Sequence, residues 1–276
     1  MHPIERLRYV ARADGAGPSM LVPEAAGALA GFADDPAALV TACRRLVDRH
    51  PTVGPMWWLA ARVLAADDPA REAWLSAQVL EEDATPSVLA DQLPSDATVT
   101  ILGWPELVAA GLGARGDVAA LVVDSWGGSG LAARLESAGL SAVEVPESGV
   151  GAAVVGSDLV LLEANALGPD AFVAASGSRA AAAVGRQEGV PVWVVAGEGR
   201  ALPGRLWDAL CRRFEAEAQD DPWDRPEEVV PLTWCDRVVG PSGAVDLATG
   251  PGAGPRRADC SVAPELLKPV GGWSAD

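Results

Sequence analysis

The chain has 276 residues, 49% of them hydrophobic and 21% charged, with mean hydropathy +0.17, enough for one large core or two unequal domains. Its formal net charge is -17 and its isoelectric point about 4.4, so its field opposes nucleic-acid phosphates and anionic membranes, and neither is expected as a partner. Lys268 is the only lysine and His2 and His50 are the only histidines, which leaves almost no candidate for a Schiff-base lysine, a Walker A lysine or a histidine-centred triad.

From Ile4 to about Leu93 the pattern is helical. Glu24 to Phe32 is one segment, and Pro36 to His50 is the next, with Leu39, Val40, Cys43, Leu46 and Val47 in an apolar stripe at helical spacing. Asp34 or Asp35 supplies an N-cap ahead of Pro36 at the first helical position. Met56 to Ala66 and Pro69 to Glu82 complete a small antiparallel helical domain. The adjacent Trp57 and Trp58 point in different directions on a helix and are expected in packing rather than ligand stacking. His50, just before Pro51, reads as a helix C-terminal residue.

At Leu93 to Asp96 the texture changes, and short apolar runs begin to alternate with glycine-punctuated helical segments, the α/β signature. The expected organisation is a helical domain over 1–95 and a Rossmann-like α/β domain with a parallel, doubly wound sheet over 96–276. Strands are expected at Thr98 to Leu102, Val118 to Asp124 and Ser141 to Val145. Helices are expected at Pro105 to Leu112, Ser129 to Ala138 and Glu147 to Val155. Gly156 to Gly197 then reads as strand (Asp158 to Leu162), small-residue turn, helix (Arg179 to Glu188) and strand (Val192 to Val195), with Gly189 and Pro191 stopping the helix. Pro203 to Ala218 is helical, and Val229 to Val239 holds a strand or two. Gly240 to Arg257 has the composition of a linker, and Asp259 to Leu267, DCSVAPELL, packs back on the domain.

Cys43, Cys211, Cys235 and Cys260 form no CxxC or Cys/His cluster, so neither a zinc site nor a disulfide framework is signalled, and no cofactor is expected. Reduced thiols, no run of the roughly 18 apolar residues a membrane span needs and no secretory leader pattern point to a soluble, cytoplasmic protein.

In open parallel sheets ligands bind beyond the carboxyl ends of the strands. Candidate residues there are Trp104 after Gly103; Ser125, Trp126, Gly127, Gly128, Ser129 and Gly130; and Gly177, Ser178 and Arg179. The glycines let backbone N–H groups approach an anion, and a small-residue loop entering a helix leaves such groups free. A tight turn accounts for SWGGSG equally well, and a solvated surface position accounts for Arg179. Asp158 is the candidate acid or base if burial among Val155, Leu159 and Val160 raises its pKa.

The segment GSDLVLLEANALGPDAFVAASGSRAAAAVGRQEGVPVWVVAGE resembles the signature of the translation initiation factor 2B alpha/beta/delta subunits. The same signature occurs in methylthioribose-1-phosphate isomerase and ribose-1,5-bisphosphate isomerase. DCSVAPELL is similar to that family's closing motif and VVDSWGGSG to its Glu-Ser-Arg-Pro strand end, so the resemblance spans residues 98 to 267. It implies the fold above, a dimer formed through the α/β domain, and a phosphorylated small molecule as ligand. It also places Asp158 where the isomerases keep their catalytic aspartate. Four polar positions depart from the pattern. Leu102, Gly103 and Trp104 stand in place of a catalytic cysteine, Trp126 in place of the sugar-phosphate arginine, and Ala174 and Ala175 in place of an Asn-Lys pair. The expectation is therefore a non-catalytic member that binds a phosphorylated metabolite or nucleotide in a regulatory or assembly role. The alternative is a sugar-phosphate aldose-ketose isomerase with a site rebuilt from Asp158, Ser178, Arg179 and the SWGGSG backbone.

Overall fold

A computed structural model of the chain describes residues 3–12, 17–125, 130–216, 221–247 and 260–268. Two compact units emerge, each discontinuous in sequence: Met1–Glu82 with Glu198–Gln219 and Arg257–Asp276, and Asp83–Gly197 with Asp220–Arg256.

The helical unit begins with α1 (Pro3–Arg12), α2 (Pro18–Ala30), α3 (Pro36–Arg49), α4 (Gly54–Ala65) and α5 (Pro69–Glu81). Two starts follow from Asp-Pro pairs: the Asp35 carboxylate accepts the N–H groups of Ala37 and Ala38 at 3.1 and 3.0 Å, and Asp68 accepts that of Arg71 at 3.0 Å, each with proline in the first turn. The α3 stripe of Leu39, Cys43, Leu46 and Val47 is buried. On α4 every residue from Gly54 to Ala61 is buried, as expected of a helix apolar all round and enclosed by others. Trp57 and Trp58 are core residues, 0% and 2% exposed, and the Trp57 indole donates to the Pro51 carbonyl at 2.9 Å. His50 is buried, with Nε2 2.9 Å from the Val10 carbonyl oxygen.

The α/β unit starts at α6 (Thr85–Gln92), followed by β1 (Thr98–Leu102), α7 (Glu106–Arg115), β2 (Ala119–Asp124), α8 (Leu131–Ser137), β3 (Ser141–Pro146), α9 (Val150–Val155) and β4 (Leu159–Glu163). Then come β5 (Ala166–Leu167), β6 (Ala171–Ala175), α10 (Ser178–Glu188) and β7 (Val192–Val195). The chain returns to the helical unit for α11 (Gly204–Ala216), re-enters the α/β unit for β8 (Glu227–Pro231), β9 (Arg237–Gly240) and β10 (Gly243–Asp246), and ends its described part with α12 (Pro264–Leu267). The main sheet has the order β10-β9-β7-β4-β1-β2-β3, parallel except for the β9–β10 hairpin. Val99, Ile101, Val122, Leu159, Leu161 and Val195 on one face pack with Leu89 of α6, Val108 and Leu112 of α7 and Leu131 and Leu135 of α8. α9 and α10 lie against the strands as well. Cover by helices explains why β4 and β7 read as continuous apolar runs.

Three sequence expectations change. Against a single division at 95/96, α6 packs with α7 in the α/β unit, and 198–219 belongs with the helices. The small-residue turn ahead of α10 contains two short strands, β5 and β6, which pair antiparallel with each other, and β6 pairs antiparallel with β8 on its other side in a second sheet; the reversal at Gly168–Ala171 is closed by a 2.8 Å backbone bond. The closing segment does pack, but α12 lies on α11 and α3 of the helical unit rather than on the sheet. Among the described residues no helix is long and apolar enough to cross a membrane.

Candidate functional site

After β1 the chain moves outward through β2 to β3, then returns to the other side of β1 for β4, β7 and β9. The strand order therefore reverses between β1 and β4, and the crevice beyond their carboxyl ends is where ligands of such sheets bind. Its rim is made by Gly103 and Trp104 after β1, Asp124 and Ser125 at the end of β2, Glu163 to Asn165 at the end of β4, and the turn into α10.

The turn of α10 is packed onto the strand ends. Gly103 has φ +66°, and a Cβ there would stand 3.2 Å from the Ala175 Cβ; Gly177 has φ +89°, and a Cβ there would stand 3.2 Å from Leu102 Cδ2. Both positions need glycine for conformation and for space. The Ser125 hydroxyl donates to the Ser176 carbonyl at 3.0 Å, joining the end of β2 to the same turn. Ser178 is buried. Trp104 is 43% exposed, with the Arg134 guanidinium 5.4 Å from its ring centre. Gly130, also at positive φ, precedes α8. Trp126, Gly127, Gly128 and Ser129 lie outside the described residues.

The first turns of α7 and α10 carry backbone donors, and the chain's own carboxylates take them. Glu163 Oε2 accepts the N–H groups of Leu107 and Val108 at 2.8 and 3.0 Å. Glu228 Oε1 accepts the N–H of Arg179 at 2.9 Å. Each carboxylate satisfies helix-end donors and meets the positive end of the helix dipole, where a phosphate would otherwise sit. The Arg179 side chain is engaged as well: its guanidinium donates to the Val229 carbonyl at 3.2 Å and lies 5.0 Å from the Trp234 ring centre. Asn165 donates through its side-chain amide to Glu227. Glu227 and Glu228 arrive on β8, opposite Ala175 and Ala174 of β6, so the small antiparallel sheet delivers these carboxylates to the crevice.

Asp158 is not part of this site. It precedes β4, and its backbone N–H donates to the Thr98 carbonyl while its Oδ2 accepts the Thr98 N–H, both at 2.8 Å. That position is the amino end of the sheet, separated from the crevice by the five residues of β4, roughly 16 Å of extended chain. The side chain is exposed rather than enclosed by Val155, Leu159 and Val160. Asp158 is a strand-end residue bonded to its neighbour's backbone. Glu163 and Asn165 stand at the other end of the apolar run that begins at Asp158, and neither is among the residues expected from the sequence. Their signal in the sequence is position alone: Glu163 closes the β4 run and Asn165 follows it, at the strand's carboxyl end. Glu227 and Glu228 could not be assigned without knowing that β8 pairs with β6.

Among the described residues no group of three or more His, Cys, Asp or Glu is placed to hold a metal ion. Two grooves lie elsewhere. One of about 620 Å³ is lined by Arg186, Val190, Thr233, Trp234 and Asp236 among others, and one of about 320 Å³ lies among α1, α3 and Phe32 in the helical unit.

No family model matches the sequence, and no curated protein matches it significantly. Solved structures do resemble it. The translation initiation factor eIF-2B of Pyrococcus horikoshii OT3 superposes with a TM-score of 0.74 at 16% identity, covering 89% of this chain and 97% of that one. A chain of the tetrameric eIF2B-beta2-delta2 complex from Chaetomium thermophilum gives 0.69 at 16% identity, covering 88% and 89%. The 5-methylthioribose 1-phosphate isomerase of P. horikoshii OT3 gives 0.58 at 16%, covering 89% and 84%. The chain thus has the α/β fold with an N-terminal helical region that these proteins share.

Proposed function

We propose that this chain is a non-catalytic cytoplasmic member of the initiation factor 2B-like family, acting as an assembly or regulatory subunit that pairs with a second copy through its α/β unit. The observation that carries this reading is the Glu228 carboxylate on the Arg179 N–H at the start of α10. An anionic sugar phosphate would have to displace it, and would meet Glu163 and Glu227 in the same crevice. Aldose-ketose isomerisation needs a group that moves the proton, donors that hold the phosphate and a group that polarises the carbonyl. Here Asp158 is at the other end of the sheet, and Ala174 and Ala175 carry no polar side chain. The fold shared with a subunit of a tetrameric complex supports assembly as the role that remains.

Incubation with methylthioribose 1-phosphate and with ribose 1,5-bisphosphate, followed by NMR, is expected to leave both sugars unchanged. Enzyme-dependent appearance of the ketose from either one overturns the non-catalytic reading.

A further inference from the structure

The groove of about 320 Å³ in the helical unit lies well away in sequence from the crevice of the sheet and is built differently. Its walls are Ile4 and Leu7 of α1, Phe32 from the turn after α2, and Ala38, Ala42 and Leu46 of α3. The last three recur every four residues, so they form one stripe along α3. Two of the three are alanines, whose small side chains fill little of the space they line. Two cations, Arg8 from α1 and Arg45 from α3, and Thr41, whose hydroxyl donates to the Ala37 carbonyl at 2.9 Å, complete the lining. Both arginines are exposed, as is Ile4 at 45%, so the groove opens to solvent with an apolar floor and guanidinium groups on two of its walls. Arg8 also pairs with Glu5 at 2.7 Å, between side chains 63% and 56% exposed. A pair that open to solvent does not hold Arg8 away from a ligand.

We infer that this groove is a binding site for a small amphipathic monocarboxylate, its aliphatic or aryl body on Leu7, Phe32, Ala38, Ala42 and Leu46 and its carboxylate between Arg8 and Arg45. The volume falls within the range of roughly 300–1,000 Å³ typical of small-molecule sites, and an apolar lining with few charged groups is their usual chemistry. Charge complementarity selects the head group. Arginine presents a planar fork that matches a carboxylate, and a single negative charge is the anion least opposed by a chain of net charge -17. The aliphatic stems of Arg8 and Arg45 extend the apolar wall while their heads remain in water. This site is independent of the assembly role proposed above, since none of its residues belongs to the α/β unit.

The test is isothermal titration of the full chain with sodium octanoate, with octanol and acetate as probes of body and head alone. Octanoate is expected to bind one to one, and neither acetate nor octanol to match it. Ala38→Phe, at a half-buried position, fills the groove and is expected to abolish binding. Arg45→Gln removes one of the two cations without filling the groove and is expected to weaken binding about fivefold, which keeps the test decisive if Ala38→Phe folds poorly. No heat with octanoate at millimolar concentration overturns the assignment, as does equal affinity for octanol or unchanged binding in both variants. Tight binding of a peptide ending in Leu-Leu-carboxylate without binding of octanoate also overturns it and gives the groove to a protein partner.

Discussion

Cys235 ends the short turn after β8, where its N–H bonds to the Leu232 carbonyl and its thiol is buried beside Asp236. Burial, and secondly the Asp236 charge, push that thiol up from the usual 9.0 to about 12. Burial raises Cys43 as well. The fold therefore favours the protonated thiol. Below about pH 9 both folded and unfolded chains hold the proton and the stabilisation is complete. Above it the unfolded chain releases a proton that the folded one keeps until about pH 12, so stability falls with rising pH by up to about 1.4 kcal/mol per pH unit for each such thiol. Urea unfolding from pH 8 to pH 11 is expected to show this decline, and Cys235→Ala should make it shallower by the share of one group. An unchanged slope in the variant would mean that Cys235 ionises normally in the folded chain. Both thiols are also expected to resist a thiol-specific reagent at pH 8 until urea is added.

Among elements, α11 shows how one residue fixes a returning segment. Arg213 is 3% exposed. Its guanidinium donates to Asp48 of α3 at 2.6 Å and to the Lys268 carbonyl just after α12 at 3.0 Å, and it lies 4.7 Å from the Trp57 ring centre of α4. Removing it leaves a partly buried carboxylate and a carbonyl without this donor, so Arg213→Ala is expected to cost about 3 kcal/mol in urea unfolding. Arg213→Lys should recover only part, because an ammonium lacks the fork and the flat face. At α10 the element to perturb is the cap. Glu228→Ala frees the Arg179 N–H at a cost of about 1 kcal/mol, and millimolar phosphate, expected to leave the parent chain's melting temperature unchanged, should then raise that of the variant. A shift of equal size in the parent would show that Glu228 does not occupy the anion position. The elements themselves were legible wherever one local signal sufficed. Asp-Pro pairs started α3 and α5, apolar runs marked β1, β4 and β7, and Gly189 with Pro191 stopped α10. β5 and β6 were hidden because Ala166–Leu167 and Ala171–Ala175 are short and weakly patterned: β6 gains its strand character from pairing with β8, more than fifty residues on, and β5 from pairing with β6. The candidate site inherited that blindness. Gly103, Ser125 and Gly177 could be read from their places after strands, whereas the carboxylates of β8 enter through a long-range pairing that sequence spacing does not carry.

For the whole molecule, the net charge of -17 sets the terms of any self-association. Bringing two copies together opposes like charge over the full surface, and at 0.01 M salt the screening length of about 30 Å lets most of that repulsion act. At 0.15 M it falls to about 8 Å, and only charges near the interface still count. A homodimer held by apolar contacts should therefore tighten as salt is added, on the order of tenfold over this interval. A dimer held by ion pairs across its interface would weaken instead. Sedimentation equilibrium at the two salt concentrations separates these cases. A salt-strengthened dimer is expected if the α/β unit is the assembly surface proposed here. A chain that stays monomeric at both concentrations, at tens of micromolar, would remove self-pairing from the proposal and leave only assembly with a different subunit.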